Sequence, residues 1–271
     1  LHWSPVVIQN FMDCLRTNLP AVVLPIPLAG ATSPVTIVGT AVQTTAENLS
    51  GVVLSQLVRP GGYLIWGSGA SAFDMRTGTA IQSAMESIMM MCLIAQVGNY
   101  LKIPSLGNLG RTDSKRPDEQ GSFETANAYM LGYLCRVNMM RGAGILEYAS
   151  VISHEKLLID NEIAGQAQRL VNGGIEFSPE SRAVDLIKEM FTKNMSFLRS
   201  KHTLQNFKKE FWMPGPIIDR GTRTAFEEGG CKSALEKAHA EWKRIIAEKP
   251  PRPVDEKKKK ALIEVVKRRG K

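Results

Sequence analysis

Residues 62–67, Gly-Tyr-Leu-Ile-Trp-Gly, form a short apolar run with a glycine at each end. A run of this length between turn-forming residues is typical of a buried strand. Three further runs are similar: Ala-Val-Val-Leu-Pro-Ile at 21–26, Lys-Ile-Pro-Ser-Leu at 102–106 and Ala-Gly-Ile-Leu-Glu at 143–147. The centres of the four runs lie about 40 residues apart, so the sequence predicts four evenly spaced strands.

Segments with helical spacing of apolar residues separate these runs. Examples are Val38, Val42, Leu49, Val53 and Leu57, and then Ala126, Met130, Leu134 and Val137. Short apolar strands that alternate with helices predict parallel β/α units. Units of even length favour half of an eight-stranded TIM barrel over a doubly wound sheet. We therefore expect an α/β fold that contains half of a (βα)8 barrel.

Residues 1–200 are predicted to hold the βα units, and residues 201–271 an irregular segment with additional C-terminal helices that pack on the barrel. Helices are expected at about 154–170, directly after Ser178, at 231–248 and at 254–269. Glu86 is the only charged residue between Arg76 and Lys102, but polar residues interrupt this apolar stretch. It predicts a helix at 77–101 in the core or in the interface of a homo-oligomer rather than a membrane span.

The charge is concentrated at the C-terminal end. Residues 249–271 include ten Lys or Arg and three Asp or Glu, so this segment carries +7 of the net charge of +8. No aromatic residues alternate with these charges, as they do in proteins that bind single strands. The pattern therefore does not predict nucleic-acid binding.

The four cysteines lie far apart without a CxxC pair, and the four histidines lack the spacing of metal ligands. Isolated thiols in apolar surroundings are typical of buried, reduced cysteines. We therefore expect a cytoplasmic protein without structural zinc or another bound metal.

In a barrel of parallel strands, the loops that follow the strands carry the chemistry. The first loop leads to a helix expected near Pro34, capped by Thr32 or Ser33, and this helix start is either an anion site or a plain capped turn. The second loop brings Asp74 and Arg76 close together. They are interpreted as a local ion pair that shapes the loop, with substrate contact as the alternative.

The third loop, at 107–121, is long, glycine-rich and charged, which is typical of a functional loop. The fourth predicted strand ends in Glu147 and Tyr148. A carboxylate beside an aromatic ring is suited to an organic cation. The alternative is a buried glutamate whose carboxylate is satisfied by backbone N–H groups.

Several strings at these strand ends resemble one known family. They are PLAGATSPVT at 27–36, DMRTG at 74–78, TDSK at 112–115, PDEQG at 117–121, LLIDNE at 157–162, HT at 202–203 and DR at 219–220. In this order and spacing they are similar to the trimethylamine methyltransferase family, which includes glycine betaine methyltransferases. Members of that family are roughly twice as long and fold as (βα)8 barrels. The resemblance therefore implies that this chain is the C-terminal half of such a barrel.

The resemblance also implies a reaction. A family member moves a methyl group from an amine to the cobalt of a corrinoid that a separate protein carries. Members that act on trimethylamine contain pyrrolysine, and this chain has no non-standard residue. We therefore expect a quaternary amine such as glycine betaine, or else a methylamine, as the methyl donor. A non-catalytic ligand-binding or assembly module is the alternative.

Site residues follow from the resemblance and the loop positions. The residues expected around the substrate cation are Phe73, Phe123, Glu147 and Tyr148, with Trp66 behind them. If the substrate carries a carboxylate, Arg76, Arg111 or the N–H groups near Thr32 are expected to bind it. The residues expected to border the flat corrinoid are Gly67, Gly69, Gly107, Gly110 and Asp113, because small residues leave room for it.

Overall fold

The structure is a computed structural model that describes residues 3–249 and 253–269. The strands are β1 (Ala21–Val23), β2 (Leu28–Ala29), β3 (Leu64–Ser68), β4 (Ser71–Asp74), β5 (Thr79–Ile81), β6 (Ser105–Gly107), β7 (Met139–Met140), β8 (Ile145–Leu146) and β9 (Val151–Ile152). The helices of the first two thirds are α1 (Pro5–Arg16), α2 (Ile37–Val58), α3 (Met85–Tyr100), α4 (Glu119–Leu134) and α5 (His154–Asn172). They are followed by α6 (Pro179–Arg182), α7 (Val184–Thr192), α8 (Lys201–Glu210), α9 (Arg223–Glu228), α10 (Ala234–Glu248) and α11 (Glu256–Arg269).

The main sheet has the order β1-β3-β6-β7, and every neighbouring pair is parallel. Trp66 of β3 is in register with Val23 on one side and with Ser105 on the other. The helices α2, α3 and α4 connect successive strands, so strand order in the sheet follows chain order. This confirms the predicted α/β class with parallel β/α units.

The fourth predicted strand is present as β8, but its predicted place in the parallel sheet is wrong. The strand beside β6 is β7, whereas the predicted run at 143–147 contributes β8, which pairs antiparallel with β9. The chain turns between them at Gly142 and Gly144, and Gly144 has a φ of 76° that other residues rarely adopt. The apolar run therefore starts only after the chain has left the sheet.

A second sheet of three strands, β2-β4-β5, is built from the loops that follow β1 and β3. Because β5 takes up Thr79–Ile81, the helix predicted at 77–101 begins only at Met85. The helix after β1 also starts later than expected. Its cap is Thr36, whose hydroxyl accepts from the Gly39 amide, instead of Thr32 or Ser33.

Helix α2 turns its small and polar residues towards the sheet. Its buried residues are Thr40, Ala41, Thr44, Asn48, Gly51 and Ser55. The apolar residues that mark the helix in the sequence all point outwards: Val38, Val42, Leu49, Val53 and Leu57. The close approach explains this choice, because a Cβ on Gly51 would lie 2.4 Å from the Val23 side chain. Asn48 adds a hydrogen bond of 3.0 Å to the Gly67 carbonyl.

Helix α3 lies in the core. Half of its residues are buried, and it packs against β3, β6, α2 and α4. Trp66 reaches this helix from the sheet and donates its indole N–H to the Ile94 carbonyl at 3.0 Å. The predicted core position of this apolar segment is therefore confirmed.

Of the C-terminal helices, α10 packs on α5. At this contact, His239 lies against Glu155 and Trp242 stacks on His154. The helix predicted after Ser178 is confirmed as α6, with Pro179 at its first position. Cys231 is exposed, contrary to the expectation of buried thiols. Among the residues described, no helix has the length and apolar character needed to cross a membrane.

Candidate functional site

The loops at the carboxyl edge of the main sheet meet through the Asp113 carboxylate. This residue follows β6 and is only 6% exposed. Its oxygens accept from the amides of Gln82 and Ser83, both at 3.1 Å, and from the Ser83 hydroxyl at 2.6 Å. Asp113 therefore fastens the third loop to the segment that leads into α3.

Arg111 lies beside this junction and is 9% exposed. Its Nη1 donates to the Gln82 side-chain oxygen at 2.7 Å, whereas its Nε is buried without a hydrogen-bond partner. Burial lowers the pKa of Arg111, and the nearby Arg141 lowers it further. The loop thus holds a buried cation whose one polar contact among the described residues is with a neutral amide.

Glu147 and Tyr148 form a tight turn directly after β8. Three successive residues have positive φ, namely 47° at Glu147, 53° at Tyr148 and 71° at Ala149. Such backbone is strained for residues other than glycine and persists only where surrounding contacts hold it. The Glu147 amide donates to the Ser114 carbonyl at 3.0 Å, and Gln82 donates to the Tyr148 carbonyl at 3.4 Å.

The Tyr148 ring already faces a cation. The Lys115 ammonium lies 4.7 Å from the ring centroid and 3.4 Å from the hydroxyl oxygen. It also donates to the Asp113 carbonyl at 2.8 Å. The ring face is therefore placed where an organic cation would be attracted to it, provided that Lys115 moves aside.

The other residues expected around the cation lie elsewhere. Trp66 is 1% exposed in the core against α3, because its indole packs on Gly98. Phe123 is 58% exposed on α4. Phe73 is half-buried in β4, opposite Ala80 of β5. The structure thus brings Glu147 and Tyr148 to the junction and leaves Trp66 in the core.

The Asp74–Arg76 ion pair is confirmed. Two guanidinium nitrogens of Arg76, Nε and Nη2, donate to the Asp74 carboxylate at 3.0 and 2.9 Å. This contact holds the pKa of the Asp74 carboxyl at about 2. Arg76 and Asp74 are paired with each other within the loop, so Arg76 is a poor candidate for binding a substrate carboxylate.

The glycines expected to border a corrinoid are packed against protein atoms. A Cβ on Gly67 would lie 2.4 Å from the Val23 carbonyl oxygen, and one on Gly69 would lie 2.6 Å from the Asn108 amide nitrogen. Gly107 faces Leu109, and Gly110 lies against the Tyr129 ring with a φ of 92°. The expectation that these glycines leave open space is therefore wrong, since they are needed for close packing within the chain.

Three residues at the junction were not predicted: Gln82, Lys115 and Arg141. Gln82 joins Arg111 to Tyr148, but it falls inside the segment that the sequence assigned to a helix. Arg141 follows β7, which was missed. Within the described residues, no group of three His, Cys, Asp or Glu side chains is placed to hold a metal ion.

A family model described as trimethylamine methyltransferase (MTTB) matches residues 1–271. The trimethylamine methyltransferase MttB of Desulfitobacterium hafniense (strain DSM 10664 / DCB-2) is 32% identical over 265 residues, which are 98% of this chain and 52% of that protein. The glycine betaine methyltransferase of Desulfitobacterium hafniense (strain Y51) is 32% identical over 272 positions, covering 100% of this chain and 56% of that protein.

A third relative is the trimethylamine methyltransferase MttB of Methanosarcina thermophila, 31% identical over 255 residues, or 94% of this chain and 52% of that protein. The chain spans about half the length of the curated relatives it matches. The match to the family model nevertheless covers every residue of the chain. The chain therefore belongs to the trimethylamine methyltransferase family.

Proposed function

We propose that this chain is the C-terminal part of a methyltransferase that takes a methyl group from a quaternary amine such as glycine betaine. The acceptor is the cobalt of a corrinoid that a separate protein carries. The observation that carries the proposal is family membership over the whole chain, together with the junction of Arg111 and Tyr148 through Gln82 at the carboxyl edge of the sheet.

A quaternary amine requires little of the protein. When the bond between nitrogen and the methyl carbon breaks, the bonding electrons stay on nitrogen, and the amine leaves neutral. The chain therefore needs to bind the cation, orient it and exclude water, without protonating the leaving group. The Tyr148 ring and the Glu147 carboxylate supply the cation subsite, with a ring contact of about 1 kcal/mol.

The corrinoid is treated as the methyl acceptor rather than as a group that this chain holds. Neighbouring protein atoms occupy the space beside the glycines expected to border the corrinoid. These glycines therefore do not form a binding surface for a macrocycle. No residue of the chain is assigned to the corrinoid, and the roles of Glu147 and Tyr148 concern the amine alone.

The sheet supports half of a (βα)8 barrel, with residues 201–271 as the segment that packs on it. Parallel strands in chain order without reversal are typical of a barrel. Parallel sheets are normally covered on both faces, yet Val22 and Met139, on the face opposite Val23 and Trp66, are 41% and 49% exposed. A groove of about 630 Å³ follows the free edge of β1 between α1 and α2. Further strands of a barrel could pair with the free edge of β1 and cover the face that carries Val22 and Met139.

Methyl transfer to free, reduced cobalamin tests the proposal, followed by the change in the visible absorbance of cobalt. We expect the protein that contains this chain, at the length of its curated relatives, to methylate cobalamin with glycine betaine, and Tyr148→Ala and Glu147→Gln to raise the KM for the amine. An unchanged spectrum with glycine betaine, choline and trimethylamine would contradict it. Amine binding without methyl transfer would instead favour a ligand-binding module.

A further inference from the structure

The guanidinium of Arg111 has one edge without a partner. Nη1 is used by Gln82, but Nε and Nη2 donate to none of the described residues. Among those residues, no carboxylate lies within ion-pair distance of Arg111, although Asp113 is two positions away. The oxygens of Asp113 are instead used by Gln82 and Ser83. A cation that is nine-tenths buried is normally paired, so this free edge requires an explanation.

Arg76 shows how the same edge binds a carboxylate. Its Nε and Nη2 donate side by side to the two oxygens of Asp74, in the two-point geometry that arginine favours. Arg76 is exposed, whereas Arg111 is buried. Among the described residues, the same recognition edge is thus occupied at Arg76 and at Arg244, which binds Glu241 in this way, and free at Arg111.

Arg141 reinforces the positive charge at Arg111. Gly142 packs so closely that a Cβ on it would lie 2.5 Å from the Arg111 amide nitrogen. This contact brings the neighbouring Arg141 to the same place, where its charge disfavours the charged form of Arg111. Two guanidinium groups that repel each other become mutually compatible when an anion lies between them.

We propose that Arg111, with Arg141 beside it, binds the carboxylate of a zwitterionic amine substrate. This inference rests on the proposed function. It selects one of three expected carboxylate sites. Arg76 is occupied by Asp74, and the Thr32 hydroxyl accepts from the Leu28 amide at 2.8 Å instead of capping α2.

Gln82 links Arg111 to the turn that carries Tyr148. Its side-chain oxygen accepts from Arg111 at 2.7 Å, and its side-chain nitrogen donates to the Tyr148 carbonyl at 3.4 Å. One amide group therefore separates the carboxylate subsite from the turn that carries the cation subsite.

NMR of the arginine Nε–H groups in the full chain tests the inference directly, with the Arg111 signal assigned from an Arg111→Lys variant. We expect glycine betaine to shift the Arg111 Nε–H signal and tetramethylammonium to leave it unchanged. The Arg76 signal should not move with either ligand. If glycine betaine leaves the Arg111 signal in place, the inference is overturned, whether or not methyl transfer occurs.

Variants measured by calorimetry give a second test. We expect Arg111→Met to weaken glycine betaine binding roughly 10- to 100-fold, because a hydrogen-bonded charge pair is lost. Tetramethylammonium binding should be retained, and Arg76→Met is the matched control that should bind both ligands normally. Equal weakening of both ligands by Arg111→Met would show that Arg111 only supports the loop.

The two proposals can fail separately. If glycine betaine shifts the Arg111 signal but no methyl group reaches cobalamin, the carboxylate subsite stands and the proposed activity is contradicted. If methyl transfer proceeds from glycine betaine and the Arg111→Met variant keeps the native KM, the activity stands and the carboxylate subsite is contradicted.

Discussion

Two ion pairs of this chain differ in what surrounds them. The pair of Lys156 and Asp160 in α5 is fully buried, whereas Arg76 in its pair with Asp74 has an 88% exposed side chain. Lys156 also donates to the Thr125 hydroxyl at 2.6 Å, and Asp160 accepts from the Gly144 amide at 2.8 Å. The buried pair therefore joins α4, α5 and the turn before β8, while the exposed pair shapes a single loop.

Burial also sets the direction of the pKa shifts in the buried pair. Because removal from water disfavours charge, burial lowers the pKa of Lys156 and raises the pKa of Asp160, against the attraction between the two groups. Each partner thus depends on the other to remain charged. The contribution of an ion pair to stability follows from burial and from the additional contacts it makes, more than from its distance.

The largest expected effect comes from removing one partner of the buried pair. Lys156→Met leaves Asp160 buried without its cation, and we expect the free energy of unfolding to fall by about 3–5 kcal/mol. Urea unfolding followed by circular dichroism measures this change. The double variant Lys156→Met/Asp160→Leu should recover part of the loss, because no unpaired charge remains. If Lys156→Met were as stable as the native chain, the buried pair would not contribute more to stability than the exposed pair.

A smaller effect is expected at Glu124, which links α4 to the candidate site. Its carboxylate accepts from the Thr112 hydroxyl and from the Asp113 amide at 3.0 Å. Glu124→Ala should destabilise the chain by about 1–3 kcal/mol, since the hydroxyl of the fully buried Thr112 loses its acceptor and keeps only the hydrogen bond from the Ser114 amide. Hydrogen exchange at the Asp113 amide should become faster. Glu119→Ala, at an exposed position of the same helix, is the control and should leave that exchange rate unchanged.

The contact between α5 and α10 predicts a dependence on pH. The Glu155 carboxylate accepts from His239 at 2.8 Å and from Trp242 at 2.9 Å, and chiefly the contact with His239 holds its pKa at about 2 instead of 4.5. Because the pKa of Glu155 is lower in the folded chain than in the unfolded chain, its ionised carboxylate stabilises the folded chain at pH values above about 4.5. This contribution is lost as the pH falls from about 4.5 towards 2.

The matching variant is Glu155→Gln. We expect it to be less stable than the native chain at neutral pH by roughly 1 kcal/mol, a small value because solvent screens this site. The difference should shrink when unfolding is measured at a pH near 3. A difference that stays constant across this range would show that the carboxylate charge is not what the contact uses.

The sequence predicted the first three strands because each is an apolar run next to a turn residue. It missed β7 because Met139–Met140 is too short to show a pattern. It located α2 from its apolar spacing, but the buried face carries residues such as Gly51 and Asn48, which the sheet selects for size and for a hydrogen bond. Close packing between residues that are far apart in the sequence leaves no periodic pattern in that sequence.

The site was predictable where its contacts are local. Asp74 and Arg76 lie two residues apart, so their ion pair follows from the sequence. Arg111 and Tyr148 lie at strand ends and were also expected. By contrast, Gln82 is 29 positions from Arg111 and 66 from Tyr148, and only the folded chain brings the three together. The fully buried Lys156 carries no local sign of its burial either.

The smallest expected effect comes from the local, exposed pair. Arg76→Gln removes the partner of Asp74, but the Arg76 side chain is 88% exposed, so we expect only a small decrease in the midpoint of urea unfolding. The pKa of Asp74 should then rise from about 2 towards its ordinary value, because the Arg76 side chain is the first cause of its depression. NMR titration of the Asp74 carboxyl carbon measures that shift. A marked loss of stability in Arg76→Gln would mean that the exposed pair holds the loop against the rest of the fold, and the contrast with Lys156 and Asp160 would then fail.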